Sequence, residues 1–340
     1  MDSPADRVSL AVPARAPRRS ALRGTLAALP IVWALAGAAY LVLDPLTGAA
    51  LPPVVVVGHF QVFLLLGAAP FAIWAWRQRQ RMLAAVLTLL VAAGLYVNRV
   101  ELFGSAPELR GAPPPDLVVT TWNAGHGRAT PDEVVAQLRA DPGDVIVVQE
   151  WTEEARAAID AQLGERFPAR HYFGHGKASL ALFSEWPTSA VQVFEPVGAK
   201  LWLAATVTTP RGNVRIVGLH LDLWGTFFGD WARSDEVLAG VIEHLGDDPR
   251  ALVAGDFNLT PAARALDVLG AAGYADAYRA AGSGFGFTFP TFGGYRGVPS
   301  PPVVRIDQIW LRPGLRARRA CVGSDGGSDH LPLHVELELR

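Results

Sequence analysis

Several short apolar runs in the second half of the chain end in side chains suited to metal-assisted phosphate ester chemistry. Leu117–Thr121 leads to Asn123, Val145–Val148 to Gln149 and Glu150, Val214–Leu219 to His220, and Leu252–Ala254 to Asp256 and Asn258. Nearer the end, Arg305-Ile-Asp307 lies inside the run Val303–Leu311, and Ser328-Asp329-His330 stands just before Leu333–Leu339. Buried carboxylates are costly unless paired or bound to a cation. Glu150, Asp256, Asp307 and Asp329 together therefore imply a metal, basic partners or both. Oxygen donors select hard cations, Mg²⁺ or Mn²⁺, over zinc. Such an ion would neutralise a phosphate and stabilise a leaving oxygen. A carboxylate can orient and deprotonate water, a histidine can donate to a phosphoryl oxygen or leaving group, and an asparagine amide can hold a phosphoryl oxygen without adding charge.

Each residue also has a plainer reading. Taken alone, Asn123 is a turn residue, Asp256 with Asn258 an Asx-turn, and Asp329-His330 a polar lead-in to a strand. Asp307 inside an apolar strand resists that reading, because an unpaired buried Asp is expensive. The functional reading requires that the strand ends share one edge, so that their polar residues converge on a single cleft. The elements expected to position them are strands at Leu117–Thr121, Val145–Val148, Leu180–Phe183, Leu201–Val207, Val214–Leu219, Leu252–Ala254, Val303–Leu311 and Leu333–Leu339. Helical patterns cover Glu153–Leu163, Arg233–Leu245 and Ala262–Ala272, and Thr130-Pro-Asp-Glu133 reads as a capping box with Pro in the first turn. Many strands with a few interspersed helices predict an α/β sandwich.

At these residues the sequence resembles the endonuclease/exonuclease/phosphatase superfamily, over residues 117–340. Six motifs occur in the family's order: Thr121-Trp-Asn123, Val148-Gln-Glu150, Gly218-Leu-His-Leu221, Gly255-Asp-Phe-Asn258, Arg305-Ile-Asp307 and Ser328-Asp-His-Leu-Pro332. The resemblance implies a four-layer α/β/β/α sandwich and a hydrolase of phosphate ester bonds. It implies Glu150 as the main metal ligand, with Asn123 and Asp329 close to the cation. It implies that Asp256 orients or activates water, Asn258 holds the phosphate, His330 contacts the phosphate with Asp307 fixing its orientation, and His220 is a second phosphate ligand or general acid. The chain departs from the family at Ser184-Glu-Trp-Pro187, where members often carry Arg, and at Leu219-His220-Leu221 in place of Thr-His-Leu. The tyrosine that some members use near the phosphate has no match. His175 and Lys177 lie in that region, and a surface role is favoured for them.

The first hundred residues have a different character. Three uncharged apolar runs, Thr25–Leu43, Val54–Trp76 and Leu83–Val97, occur in a chain that is 50% hydrophobic and 18% charged overall. A membrane-spanning helix needs about 20 apolar residues, so about three transmembrane helices are expected. Arg15, Arg18, Arg19 and Arg23 precede the first run and Arg77, Arg79 and Arg81 separate the second from the third. By the positive-inside rule both basic segments are cytoplasmic, and everything after residue 100 lies outside the cytoplasm. Trp74 and Trp76 sit where an aromatic belt would. His59 and Gln61 read as polar residues facing a neighbouring helix or the interface.

The expected organisation is thus a basic cytoplasmic stretch 1–24, a membrane segment 25–100, a Pro-rich linker 101–116 and a catalytic domain 117–340. The single cysteine, Cys321, excludes an intramolecular disulfide and a Cys-based zinc cluster. Residues 1–100 carry nine Arg against three Asp, whereas the rest is net acidic. An acidic domain makes a poor non-specific nucleic-acid binder, which ranks nucleic acid below other phosphate esters. Tethering keeps the site near the bilayer, favouring a lipid-linked or cell-envelope substrate. The helices-then-domain arrangement resembles the superfamily branch associated with glycopeptide resistance. An exported nuclease and a catalytically inactive, membrane-tethered binding module are the competing readings. Trp224, Phe227, Phe228 and Trp231, after His220, read as core or loop packing, and Asp222, Trp224 and Asp230 as loop. Oligomeric state is not legible.

Overall fold

The computed structural model describes residues 18–47, 51–104, 112–195, 200–222, 231–294 and 298–340. Arg15, Gly111 of the linker, and Trp224, Phe227, Phe228 and Asp230 lie outside the described residues, as does the side chain of Trp231.

Among the described residues, twelve strands form two six-stranded mixed sheets. One has the order β11 (Leu315–Val322), β12 (Leu333–Leu339), β1 (Leu117–Asn123), β2 (Val145–Gln149), β4 (Leu180–Ser184) and β3 (Ala169–Phe173). The other has the order β5 (Thr188–Phe194), β6 (Trp202–Thr209), β7 (Gly212–His220), β8 (Ala251–Asp256), β10 (Asp307–Leu311) and β9 (Ala275–Asp276). The eight strands expected from sequence are the interior ones, and the four missing from that expectation are the four edges. The run expected as Val303–Leu311 is a strand only from Asp307, since Val303 and Val304 instead bond the backbone of Phe289.

Side chains alternate across a strand, and this alternation builds the layers. Leu117, Val119, Val145, Val147, Leu203, Ile216, Leu252 and Ile309 fill the space between the sheets. The next residues along these strands face outward. Trp122, Ile146 and Val148 pack under helices Pro131–Ala140 and Glu153–Gln162. Val217, Leu219 and Val253 pack under helix Trp231–Leu245. The result is an α/β/β/α stack. Thr130 closes its capping box on Glu133, with Thr130 N–H donating to Glu133 Oε2 at 2.8 Å. The helix expected over Ala262–Ala272 is corrected to a 3₁₀ turn, Arg264–Leu266, and a short helix, Asp267–Ala271.

The apolar N-terminal third departs from expectation. One helix, Ala28–Thr47, is long and apolar enough to cross a membrane; Pro52–His59 and Gln61–Arg77 form a pair bent by 74°; Arg81–Val97 is shorter. Three spanning helices are therefore corrected to one, or two if the bent pair counts as a span. The bend falls where neighbouring polar side chains turn to tertiary partners. His59 Nδ1 lies 3.0 Å from Thr260 Oγ1, and Gln61 and Asn98 exchange amide hydrogen bonds at 2.8 and 3.3 Å. Ion pairs Arg264–Asp44 (3.0 Å) and Arg279–Glu101 (3.2 Å) also join this segment to the sandwich.

Candidate active site

The strand alternation that makes the inter-sheet core also makes the site. On β7 the inward series Val214, Ile216, Gly218 ends at His220; on β8 Leu252, Ala254 ends at Asp256; on β10 the inward series begins at Asp307. Register places His220 opposite Asp256 and Asp256 opposite Asp307, so the three form one row across the second sheet. In the first sheet the inward series Leu117, Val119, Thr121 ends at Asn123, opposite Gln149. Asn123 Nδ2 donates to Asp256 Oδ2 at 2.9 Å and so ties the two rows together. Gly255 fits this edge because a Cβ there would lie 2.0 Å from the Leu219 carbonyl oxygen.

Loops bring the remaining groups. Glu150 follows β2 with φ 56°, a conformation uncommon outside glycine. Strained backbone of this kind concentrates at functional sites. Glu150 Oε1 lies 3.8 Å from His220 Nε2 and 3.7 Å from Lys200 Nζ. The Ser328–His330 loop is clamped onto β1: Ser328 Oγ donates to the Asn123 carbonyl at 2.6 Å and Trp122 Nε1 to the His330 carbonyl at 3.1 Å. These bonds carry His330 over the row, with Nδ1 2.9 Å from Asp307 Oδ2 and Nε2 3.9 Å from Asp256 Oδ2.

The electrostatics differ sharply between the two histidines. Burial alone lowers His330, but Asp307 and Asp256 outweigh it and raise the ring to about 10, so it carries a proton. His220 is pushed well below its ordinary value, chiefly by burial and then by Lys200 and His330. Its Nε2 lies 2.6 Å from Lys200 Nζ and 3.4 Å from Asp256 Oδ2. Burial, aided by Asp307, pushes Asp256 up to about 6.

Asn123, Glu150, His220, Asp256, Asp307 and His330 are thus brought together. The other two expected residues stand at the same edge with their polar atoms already partnered. Asp329 Oδ2 faces Arg128 Nε at 3.1 Å, and Asn258 Nδ2 donates to the Leu221 carbonyl at 2.7 Å while its N–H caps Asp256 Oδ1 at 2.8 Å. Glu185, at the departure from the family's arginine, pairs with Arg166 at 2.9 Å. Lys200 escaped the sequence reading because it ends no apolar run; the one signal for it is that lysine is rare in this chain.

Ligand atoms of Asp256, Asp307 and His330 lie within 4.8 Å of one another. We read that trio as a hydrogen-bonded Asp307–His330 pair beside the Asp256 carboxylate. The oxygen donors Glu150, Asp256 and Asn123 suit a hard divalent cation. Asp307 Oδ1, buried and without a hydrogen-bond partner among the described residues, marks the excess of negative charge that such an ion would offset.

A family model described as Endonuclease/Exonuclease/phosphatase family matches residues 120–330, more than half of the chain. Among solved structures, an endonuclease/exonuclease/phosphatase from Beutenbergia cavernae DSM 12333 superposes with a TM-score of 0.53 at 22% identity, covering 66% of this chain and 72% of that one. D. rerio TDP2 complexed with single strand DNA product gives 0.54 at 17% identity, covering 65% and 98%. The corresponding protein from Bacteroides vulgatus gives 0.53 at 21% identity, covering 66% and 99%. At these identities the likeness speaks to the fold. No curated protein matches the chain.

Proposed function

The chain belongs to the endonuclease/exonuclease/phosphatase family, and from that premise we propose that it is a membrane-anchored, divalent-metal-dependent phosphoesterase. Its substrate on this reading is a lipid-linked or cell-envelope phosphate ester outside the cytoplasm. The observation that carries the hydrolytic part is the inward row His220–Asp256–Asp307 facing Asn123 and Glu150. Glu150 and Asn123 would hold Mg²⁺ or Mn²⁺, with Asp329 turned toward Arg128. When bound, the ion neutralises phosphoryl charge and the leaving oxygen. Asp256, raised toward neutrality by burial, is suited to orient water and take its proton. Protonated His330 donates to a phosphoryl oxygen, and Asp307 holds its ring.

Anchoring rests on the exposure of the apolar helices and on where their polar ends fall. Leu35, Leu46 and Leu89 are 65%, 76% and 69% exposed, which suits a lipid surface. Asp44, His59 and Glu101 meet the sandwich, whereas Arg77, Arg79 and Arg81 form the turn at the other end of the helices. That polarity supports placing the sandwich on the side opposite the arginines. Thr260, which bonds His59, is two residues beyond Asn258 in the chain, which supports a site edge that faces the helices. This supports a substrate drawn from the bilayer and agrees with the resemblance to the branch associated with glycopeptide resistance.

The test is hydrolysis of bis-p-nitrophenyl phosphate by the full chain in detergent with Mg²⁺, Mn²⁺ or EDTA, followed by phospholipid vesicles and single-stranded DNA. Metal-dependent turnover, abolished by EDTA and extending to lipid phosphate, is expected. Turnover of DNA with none of lipid would favour the exported nuclease, the reading suggested by the TDP2 structure that holds a single strand DNA product. A folded chain with no turnover under any metal would overturn the hydrolase.

A further inference from the structure

Of the 30 Lys and Arg residues in the chain, two are lysine, Lys177 and Lys200. All other permanent side-chain cations are arginines, whose planar guanidinium is broad and forked where an ammonium is compact. The two lysines are distant from each other in sequence, one in the 3₁₀ turn Gly176–Ala178 before β4 and one just before β6, yet both reach the site. Lys200 places Nζ 2.6 Å from His220 Nε2 and 3.7 Å from Glu150 Oε1, with its side chain 17% exposed. Lys177 stands on the exposed rim, close enough for its charge to lower the proton affinity of both His220 and Lys200.

Burying an ammonium costs free energy that must be recovered. The contacts of Lys200 are poor recovery for a purely structural role. Its separation from Glu150 exceeds hydrogen-bond distance, and among the described residues its hydrogen-bond partner is the His220 ring. An ammonium has three donors, so donors are left over, in a site otherwise dominated by Glu150, Asp256 and Asp307. The buried His220 ring fixes where Nζ stands, with Nε2 at 2.6 Å and Nδ1 at 3.3 Å. Phosphoryl transfer spreads charge over the non-bridging oxygens, and positioned cations are the usual means of stabilising it.

We propose that Lys200 is a catalytic residue whose ammonium donates to a non-bridging oxygen of the phosphoryl group, and that Lys177 at the rim draws the anion into the cleft. The proposal rests on the phosphoesterase reading of the same site. Lys200 brings three donors to the space beside His220 on one compact atom. Lys177, being exposed, acts mainly on encounter with a charged substrate.

The experiment uses the full chain in detergent, with Lys200→Met, Lys200→Arg and Lys177→Ala. Steady-state hydrolysis of bis-p-nitrophenyl phosphate is paired with calorimetric titration of inorganic phosphate in EDTA. Lys200→Met is expected to lower kcat by about 10²–10³-fold and phosphate affinity by roughly tenfold or more; Lys200→Arg is expected to restore neither fully. Lys177→Ala is expected to raise KM several-fold and flatten the dependence of kcat/KM on salt. Amine-selective acetylation of the wild-type chain, read peptide by peptide, gives a measurement that needs no variant to fold: phosphate should protect Lys200. Wild-type kcat and phosphate affinity in folded Lys200→Met, or equal acetylation of Lys200 with and without phosphate in a wild type that binds phosphate, would overturn the assignment alone. A wild type that neither hydrolyses the ester nor binds phosphate would overturn the phosphoesterase reading, and the lysine assignment with it.

Discussion

The helical segment and the sandwich are built from the same apolar residues turned in opposite directions. Between the sheets, Val147, Leu182, Leu203 and Ile309 are fully buried. In the helices the large residues Leu35, Leu46, Met82 and Leu89 point outward at 65–84% exposure, and much of what is buried is small, with Ala68, Ala72, Ala75 and Ala84 beside Leu65, Leu87 and Leu90. Small residues at helix contacts let the helix backbones approach closely. Helix ends follow the same divide. Pro131–Ala140 and Glu153–Gln162 in the sandwich are capped by Thr130 and Thr152, whereas Pro52–His59, Ala69–Arg77 and Arg81–Val97 have no side-chain cap.

The largest expected effect lies where the sandwich gives up stability for chemistry. Asp256→Asn should lower kcat on the model diester by about 10²–10⁴-fold, while the thermal midpoint holds or rises because a costly buried carboxylate is gone; a fall in midpoint would say that Asp256 is structural. Next comes the contrast between interiors. Leu182→Ala should cost about 2–5 kcal/mol in chemical denaturation, and Leu89→Ala less than about 0.5 kcal/mol. Equal costs would erase the distinction drawn between the two regions. Thr130→Ala should cost about 1 kcal/mol through the lost cap, again by denaturant midpoint, with no counterpart to remove in the helices. Smallest is Asp44→Asn at the seam: its pair with Arg264 is partly exposed, so a change under about 1 kcal/mol is expected, and a larger one would mean that the two regions unfold as a unit.

The sequence revealed interior strands far better than edges. β1, β2, β4, β6, β7, β8, β10 and β12 have neighbours on both sides and read as apolar runs. β3, β5 and β11 were missed because edge strands carry polar and charged residues that blunt further pairing: His171 and Arg170 on β3, Gln192 on β5, and Arg316, Arg318 and Arg319 on β11. β9 has two residues and leaves no pattern at all. In the site, the residues that end strands were legible, since alternation carries the inward face from Leu252 and Ala254 to Asp256. What side chains touch was not. Nothing in the sequence says that Asp329 turns to Arg128, that Asn258 spends its amide on Leu221, or that Lys200 arrives beside His220 from just before the strand that pairs next door.

The row His220–Asp256–Asp307 has a consequence for modularity. Its spacing is set by hydrogen-bond register, the same property that seals the core beneath it, so the reacting edge behaves as a fixed chassis. A shift of one residue along β8 would turn Asp256 away from the cleft and Leu252 and Ala254 out of the core at once. Loops that rise from that chassis are under no such double constraint. New specificities are therefore best sought by altering loops rather than strands, so that the machine is retooled without moving its frame.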